Sequence, residues 1–309
     1  MADPLAAGDA LAERRFAYAR AAAAEGDFRA AAEVLEQALE RAPDWAAAWF
    51  ALGEAREKLG DIDAATEAFR AALRCDPPDA QGANARLALV GRGDPPPAFS
   101  PAYIARLFDQ YAPRFEAHLV GSLGYRAPTQ IAEALAAVAP AHRFARGLDL
   151  GCGSGLMGEA LRRRIDHLTG VDLSPAMIEK ARERGVYDAL IVSDATAALM
   201  REPPAAFDLI VAADSLVYIG DLKALFAAAA AALAGGGLIA FSLETIEGEG
   251  YALVASMRFA HSRAYVEATG VEPGLRPLLI QSACARREAG ADVPGLICVF
   301  ERKELEARA

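Results

Sequence analysis

Small and apolar residues recur at a helical period from residue 12 to residue 79, and the pattern repeats itself. Gly26-Asp27 returns as Gly60-Asp61, Ala31 as Ala65, Leu35 as Phe69, Ala38 as Ala72 and Pro43 as Pro77, each 34 positions on. The spacing predicts two helical pairs, over about 12–45 and 46–79, with prolines 43 and 77 ending the second helix of each. A fifth helical stretch over 79–90 would cap the open end of the stack. Next come Gly91-Arg92-Gly93-Asp94 and three prolines, Pro95 to Pro97, which predict a short, stiff linker. The expected domains are therefore residues 1–90 and 98–309, joined by 91–97.

The pattern changes beyond the linker. Ser100-Pro101 reads as an N-cap followed by proline at the first helical position. It opens a helical stretch that runs through Phe108-Asp109-Gln110-Tyr111-Ala112-Pro113-Arg114-Phe115. Short apolar runs then alternate with helical segments, which predicts a parallel sheet covered by helices on both faces. The expected strands are Gly147–Leu150, Leu168–Val171, Ala189–Val192, Leu209–Ala212, Gly237–Leu243, Pro277–Ser282 and Ile297–Glu301. The segment between the last two, Ala283 to Pro294, is polar, contains Gly290 and carries no helical pattern. Those two strands therefore read as an antiparallel hairpin at the sheet edge.

Composition narrows the class of protein. Hydrophobic residues make up 54% of the 309, enough for globular domains with their own cores. The longest apolar stretch, Ala224 to Ala234, is mostly alanine and too short to span a bilayer. Met1-Ala2-Asp3-Pro4 has neither the basic start nor the apolar run of a secretory signal. Cys75, Cys152, Cys284 and Cys298 lie far apart and predict reduced thiols in a cytoplasmic protein, with no metal site. The formal net charge is −10 with no long basic run, and the nearest thing to one, Arg162-Arg163-Arg164, falls at the end of an expected helix, where cations suit the helix dipole. Nucleic acid is accordingly a poor partner for this chain.

The chemistry concentrates at Asp149-Leu150-Gly151-Cys152-Gly153-Ser154-Gly155, between an apolar β-like run and an expected helix over Leu156–Ile165. Alternating glycines permit a tight turn and would leave free N–H groups at the helix start, beside a ligand. Asp172 follows 23 residues after Asp149, at the end of the next apolar run, where one carboxylate suits a ribose diol. A dinucleotide fingerprint would need a third small residue where Leu156 stands, and Asp149 would repel a pyrophosphate. The same carboxylate would attract an ammonium group.

On these residues the second half resembles the class I S-adenosylmethionine-dependent methyltransferases, whose first motif has this acidic, glycine-alternating form. Val171-Asp172-Leu173-Ser174-Pro175-Ala176-Met177-Ile178 is similar to that family's second motif. The first half resembles tetratricopeptide repeats. Its second copy carries Trp49, Leu52, Gly53, Gly60, Ala65, Phe69, Ala72 and Pro77, while the first departs from the pattern at Arg15, Tyr18 and Ala19. The combined resemblance implies an all-α repeat array followed by a Rossmann-like, seven-stranded methyltransferase domain. It further implies S-adenosylmethionine as cofactor, with Asp149, Gly151 and Gly153 at its methionine end and Asp172 on its ribose. Leu173, Met177, Asp194 and Ala195 would lie on its adenine side, and Asp214 beside the transferring methyl. The helical segment before the sheet would fold over as a lid, bringing Tyr111, Tyr125 and Arg126 to the ligand. Asp194 and Asp214 can equally serve as turn formers or helix caps.

Methyl transfer needs alignment and exclusion of water more than it needs a proton acceptor. Asp214, Glu244 and His261 are the candidates for a base, and none is assigned a catalytic role. Thr245 to His261, with Tyr251, Met257 and Phe259, offers an apolar set for a small organic acceptor, while a repeat array suits a docked protein or peptide. A repeat scaffold with an inactive second domain is the alternative function; the intact glycine loop and Asp172 count against it. A nicotinamide-dependent oxidoreductase is a further alternative, against which Asp149 and Leu156 stand.

Overall fold

A computed structural model describes residues 7–121, 124–288 and 291–304. The N-terminal Met1–Pro4 and Gly290, both used above, lie outside the described residues. By their contacts the residues divide into two units, Met1–Tyr103 and Ile104–Ala309. The division falls past the proline linker, because Phe99 stacks on Tyr103 and the Ser100 hydroxyl donates to the Asp79 carbonyl at 3.0 Å.

The first unit holds α1 (Ala10–Ala24), α2 (Phe28–Leu39), α3 (Ala46–Lys58), α4 (Ile62–Cys75) and α5 (Ala83–Leu89). Its Gly-Asp repeat has a mechanical reason. Gly26 and Gly60 adopt the left-handed conformation that closes one helix, at φ 86° and 80°. The aspartates that follow cap the next helix, Asp27 accepting from the Ala30 N–H and Asp61 from that of Ala64. Phe69, fully buried on α4, packs where a Cβ on Gly53 of α3 would come within 2.5 Å of its ring. Only glycine at 53 lets the two helices approach this closely.

The second unit begins with the rest of α6 (Pro101–Tyr111), then α7 (Phe115–Gly121) and α8 (Ala127–Val138). The alternation follows: β1 (Phe144–Leu150), α9 (Leu156–Leu161), β2 (Ile165–Asp172), α10 (Pro175–Arg184), β3 (Ala189–Val192), α11 (Ala195–Arg201), β4 (Phe207–Ala212), α12 (Lys223–Ala232) and β5 (Leu233–Thr245). The chain ends with β6 (Tyr251–Val254), β7 (Arg258–His261), α13 (Arg263–Val271), β8 (Leu275–Glu288) and β9 (Ala291–Arg302). Strands β3-β2-β1-β4-β5 are parallel, and β9 adds antiparallel to β5 with β8 beyond it. All seven expected strands are present. Among the described residues two more join them, β6 and β7, an antiparallel hairpin within residues 245–261, for which no strand is predicted. The helix expected over Leu156–Ile165 stops at Leu161, and the three arginines form a 3₁₀ turn leading into β2.

Period-two alternation sorts the sheet's residues into two cores. Ile210, Ala212, Ile239, Phe241, Cys298 and Phe300 face one cluster with α12, whereas Leu209, Val211, Ala240, Ile297 and Val299 face the other with α8 and α9. Both faces are apolar, so these strands read as continuous hydrophobic runs.

Candidate functional site

The glycine loop follows β1 and turns into α9. Gly151, Gly153 and Gly155 all have positive φ, at 69°, 52° and 93°, and a Cβ on Gly151 would stand 2.4 Å from that of Ser215. The expectation of free N–H groups is corrected at four positions. Gly151 and Cys152 both donate to the Val171 carbonyl, Gly153 to Asp172 Oδ2 at 2.9 Å, and Gly155 to the Cys152 carbonyl. The turn curls back on the end of β2, which uses these donors internally. What it presents instead is two carboxylates.

Asp149 is fully buried at the end of β1. Its Oδ2 accepts the Tyr187 hydroxyl at 2.6 Å, while Oδ1 is buried with no hydrogen-bond partner. Burial pushes this carboxyl up to about 7; the Tyr187 bond opposes the shift and the negative charge of Asp172 adds to it. Asp172, 8% exposed, accepts from Gly153 and, at 2.8 Å through Oδ1, from the Ser174 N–H. Burial raises it too, against the pull of those N–H groups. An oxygen that accepts one N–H still has a lone pair, so Asp172 retains the capacity to accept hydroxyls. A ligand with an ammonium group and a vicinal diol fits this pair of acceptors.

The other expected residues are distributed around this pair. Leu173 is half-buried and Met177 fully buried, next to the Ser174 hydroxyl that caps α10. Asp194 does take the capping role, accepting from the Ala197 N–H at the start of α11, with Ala195 behind it. Tyr111 ends α6; its ring meets Phe115 edge-on and its hydroxyl bonds His118 Nδ1 at 2.5 Å. Tyr125 and Arg126 stand just before α8, Tyr125 half-buried and Arg126 exposed. Other residues of the helical segment before the sheet touch the elements around this pair. Asp109 accepts from the Ser174 hydroxyl and the Ala176 N–H, Arg184 pairs with Glu116, and Phe108 meets Tyr218 edge-on.

The three candidates for a base are otherwise engaged. Asp214, after β4, holds a left-handed backbone at φ 55° and pairs at 3.0 Å with Arg258 of β7. The same guanidinium nitrogen reaches Glu244 of β5 at 3.4 Å, and the group lies over the Tyr218 ring. Burial works against the Arg258 charge, yet Asp214, then Tyr218 and Glu244, hold it above its ordinary value. His261 is fully buried, with Nε2 at 2.9 and 3.0 Å from the carbonyls of Ile219 and Gly220. Two carbonyl acceptors assign the proton to Nε2. Burial pushes the ring down to about 4 against the pull of those carbonyls, so it is neutral at pH 7 and ties β7 to the segment after β4. Tyr251 and Phe259 pack edge-on within the same hairpin, and Met257 sits in its turn at φ 59°. Arg258 left no signal in the sequence, because the hairpin that carries it was not predicted.

Comparison with known proteins places both halves. A family model described as a methyltransferase domain matches residues 148–237, and one described as a tetratricopeptide repeat matches residues 16–80. The ubiquinone biosynthesis O-methyltransferase of Xylella fastidiosa strain 9a5c is 41% identical over 96 residues, 30% of this chain and 39% of that protein. Its namesake in Xanthomonas campestris pv. campestris strain B100 is 27% identical over 150 residues, 44% of this chain and 63% of the relative. The chain thus spans less than two thirds of these curated relatives. Among solved structures, a SAM-dependent methyltransferase of Leishmania major aligns with TM-score 0.54 at 18% identity, covering 65% of this chain and 83% of the other. The N-methyltransferase NodS of Bradyrhizobium japonicum WM9, in complex with S-adenosylhomocysteine, aligns at 0.51 and 19%, covering 65% and 99%. The [4+2]-cyclase SpnF aligns at 0.54 and 16%, covering 65% and 95%, so this fold also serves chemistry other than methyl transfer.

Proposed function

We infer that this chain, in which a tetratricopeptide repeat precedes a domain of the class I methyltransferase fold, binds S-adenosylmethionine and transfers its methyl group to an acceptor. The observation that carries the reading is the pair of buried carboxylates at the ends of β1 and β2, one with an oxygen lacking any partner. Asp149 would take the ammonium group and Asp172 the ribose hydroxyls. The cofactor supplies a methyl already activated by its sulfonium. What the protein adds is alignment and a dry site. Asp214 and Glu244 are paired with Arg258, and His261 is buried, so the reading needs no proton acceptor from these three. The acceptor would be a small organic molecule reached past the β6–β7 hairpin, or a protein docked on the repeats.

The test is calorimetric titration of the full-length protein with S-adenosylmethionine, S-adenosylhomocysteine and NAD. Micromolar binding of the first two without NAD is expected, and silence from both would sink the reading in favour of a scaffold acting through its repeats. Asp172→Ala should weaken S-adenosylhomocysteine by roughly 1.5–3 kcal/mol, the worth of a hydrogen bond to a charged group. Wild-type affinity in that variant would remove Asp172 from the site.

A further inference from the structure

Tyr187 stands before β3, outside both glycine-loop motifs, yet the loop is built around it. A Cβ on Gly158 would fall 2.5 Å from the Tyr187 Cζ and hydroxyl oxygen, and one on Gly170 3.0 Å from its Cδ1. On Gly155 it would lie 3.1 Å from Cε2 of the same ring. Three glycines, from the loop, α9 and β2, thus form a socket for one aromatic ring, and that socket aims its hydroxyl at Asp149 Oδ2. The phenol is raised well above its ordinary value, first by burial and then by the charge of Asp149, so it stays a donor.

We propose that Tyr187 is a positioning residue for the amino group of the cofactor: its hydroxyl holds one oxygen of Asp149 and leaves Oδ1 as the acceptor for an ammonium. The proposal rests on the cofactor reading above. Its geometry divides the two carboxylate oxygens between the protein and the ligand. The ionisable groups facing Asp149 are Tyr187, Cys152 of the loop and Asp172 at the end of β2. Cys152 is itself raised by burial and is therefore a neutral thiol, so none of these three groups supplies Asp149 with a countercharge, and a cationic ligand would.

A dependence on pH follows. With its carboxyl near 7, Asp149 in the free protein carries a proton below that pH, and an ammonium ligand must expel it. Affinity for such a ligand should rise with pH up to about 7 and fall roughly tenfold per unit below it. Without the Tyr187 hydroxyl, which favours the ionised carboxylate, the midpoint should move upward.

The experiment titrates full-length wild type and Tyr187→Phe with S-adenosylhomocysteine and with methylthioadenosine, which shares the nucleoside but lacks the amino-acid arm, from pH about 5.5 to about 8.5. The phenylalanine ring still fills the socket. We expect roughly tenfold weaker S-adenosylhomocysteine binding near neutral pH, a midpoint shifted upward and unchanged methylthioadenosine binding. Asp149→Asn, which carries no charge, should bind S-adenosylhomocysteine weakly with a flat pH profile. Equal losses for both ligands in Tyr187→Phe, or an unmoved midpoint, would overturn the role of Tyr187 and leave the cofactor reading standing. Failure of both ligands to bind wild type would overturn the cofactor reading itself.

Discussion

Replacing Arg258 with methionine is expected to cost the second unit about 3–5 kcal/mol of stability, the usual penalty for removing one partner of a buried ion pair. Arg258, Asp214 and Glu244 have side-chain exposures of 16%, 13% and 10%, so water can solvate little of what is left behind. Both oxygens of Asp214 accept from the same Arg258 nitrogen at 3.0 Å, so the substitution removes both bonds at once. The variant must keep two carboxylates close together without their countercharge. Thermal melts of both proteins would measure the deficit, with a drop of roughly 10 °C anticipated. A loss under about 1 kcal/mol would mean that the cluster contributes little to holding β4, β5 and the β6–β7 hairpin together.

Phe69→Ala should be as damaging in the repeat unit, at about 3–5 kcal/mol. Phe69 is fully buried and its ring lies over Gly53, with Phe50 tilted against it at 5.5 Å. The surrounding residues are mostly small: Ala65, Ala72 and Ala83 line the same cluster with Leu87. Alanines cannot lean into a hole, because they have no side-chain rotamers with which to fill it. The cavity should therefore persist, and the loss should sit at the upper end of the range for such truncations. Denaturant unfolding followed by circular dichroism would report it as an early loss of helical signal. Substitution at the surface of the same helix, Arg70→Ala, supplies the comparison, since its partner Glu67 is 70% exposed and such pairs contribute little.

Much of this architecture could be read from the chain. The repeat was visible because each Gly-Asp step performs the same two local tasks, closing one helix and capping the next, and local tasks leave local residues. The parallel strands were visible because burial on both faces makes their runs continuously apolar. The β6–β7 hairpin was not: its strands are four residues each, too short for the apolar run Tyr251–Val254 to be told from a loop or a helical turn. The glycine loop is the tight turn the sequence predicts, but the end of β2 takes three of the N–H groups expected to face a ligand and the loop itself takes a fourth.

The division follows from the range of the interactions. Capping, turn formation and hydrophobic period act within a few residues, and by themselves they determined the helical pairs, the order of the strands along the chain and the positions of Asp149 and Asp172 at strand ends. The partners of those carboxylates come from elsewhere in the chain: Tyr187 is 38 residues from Asp149, and Arg258 is 44 from Asp214. Only the folded sheet brings them together. The tertiary structure alone therefore decided that Asp149 keeps one oxygen free and that Asp214 and Glu244 share a guanidinium, because a buried charge takes its properties from whatever is packed against it.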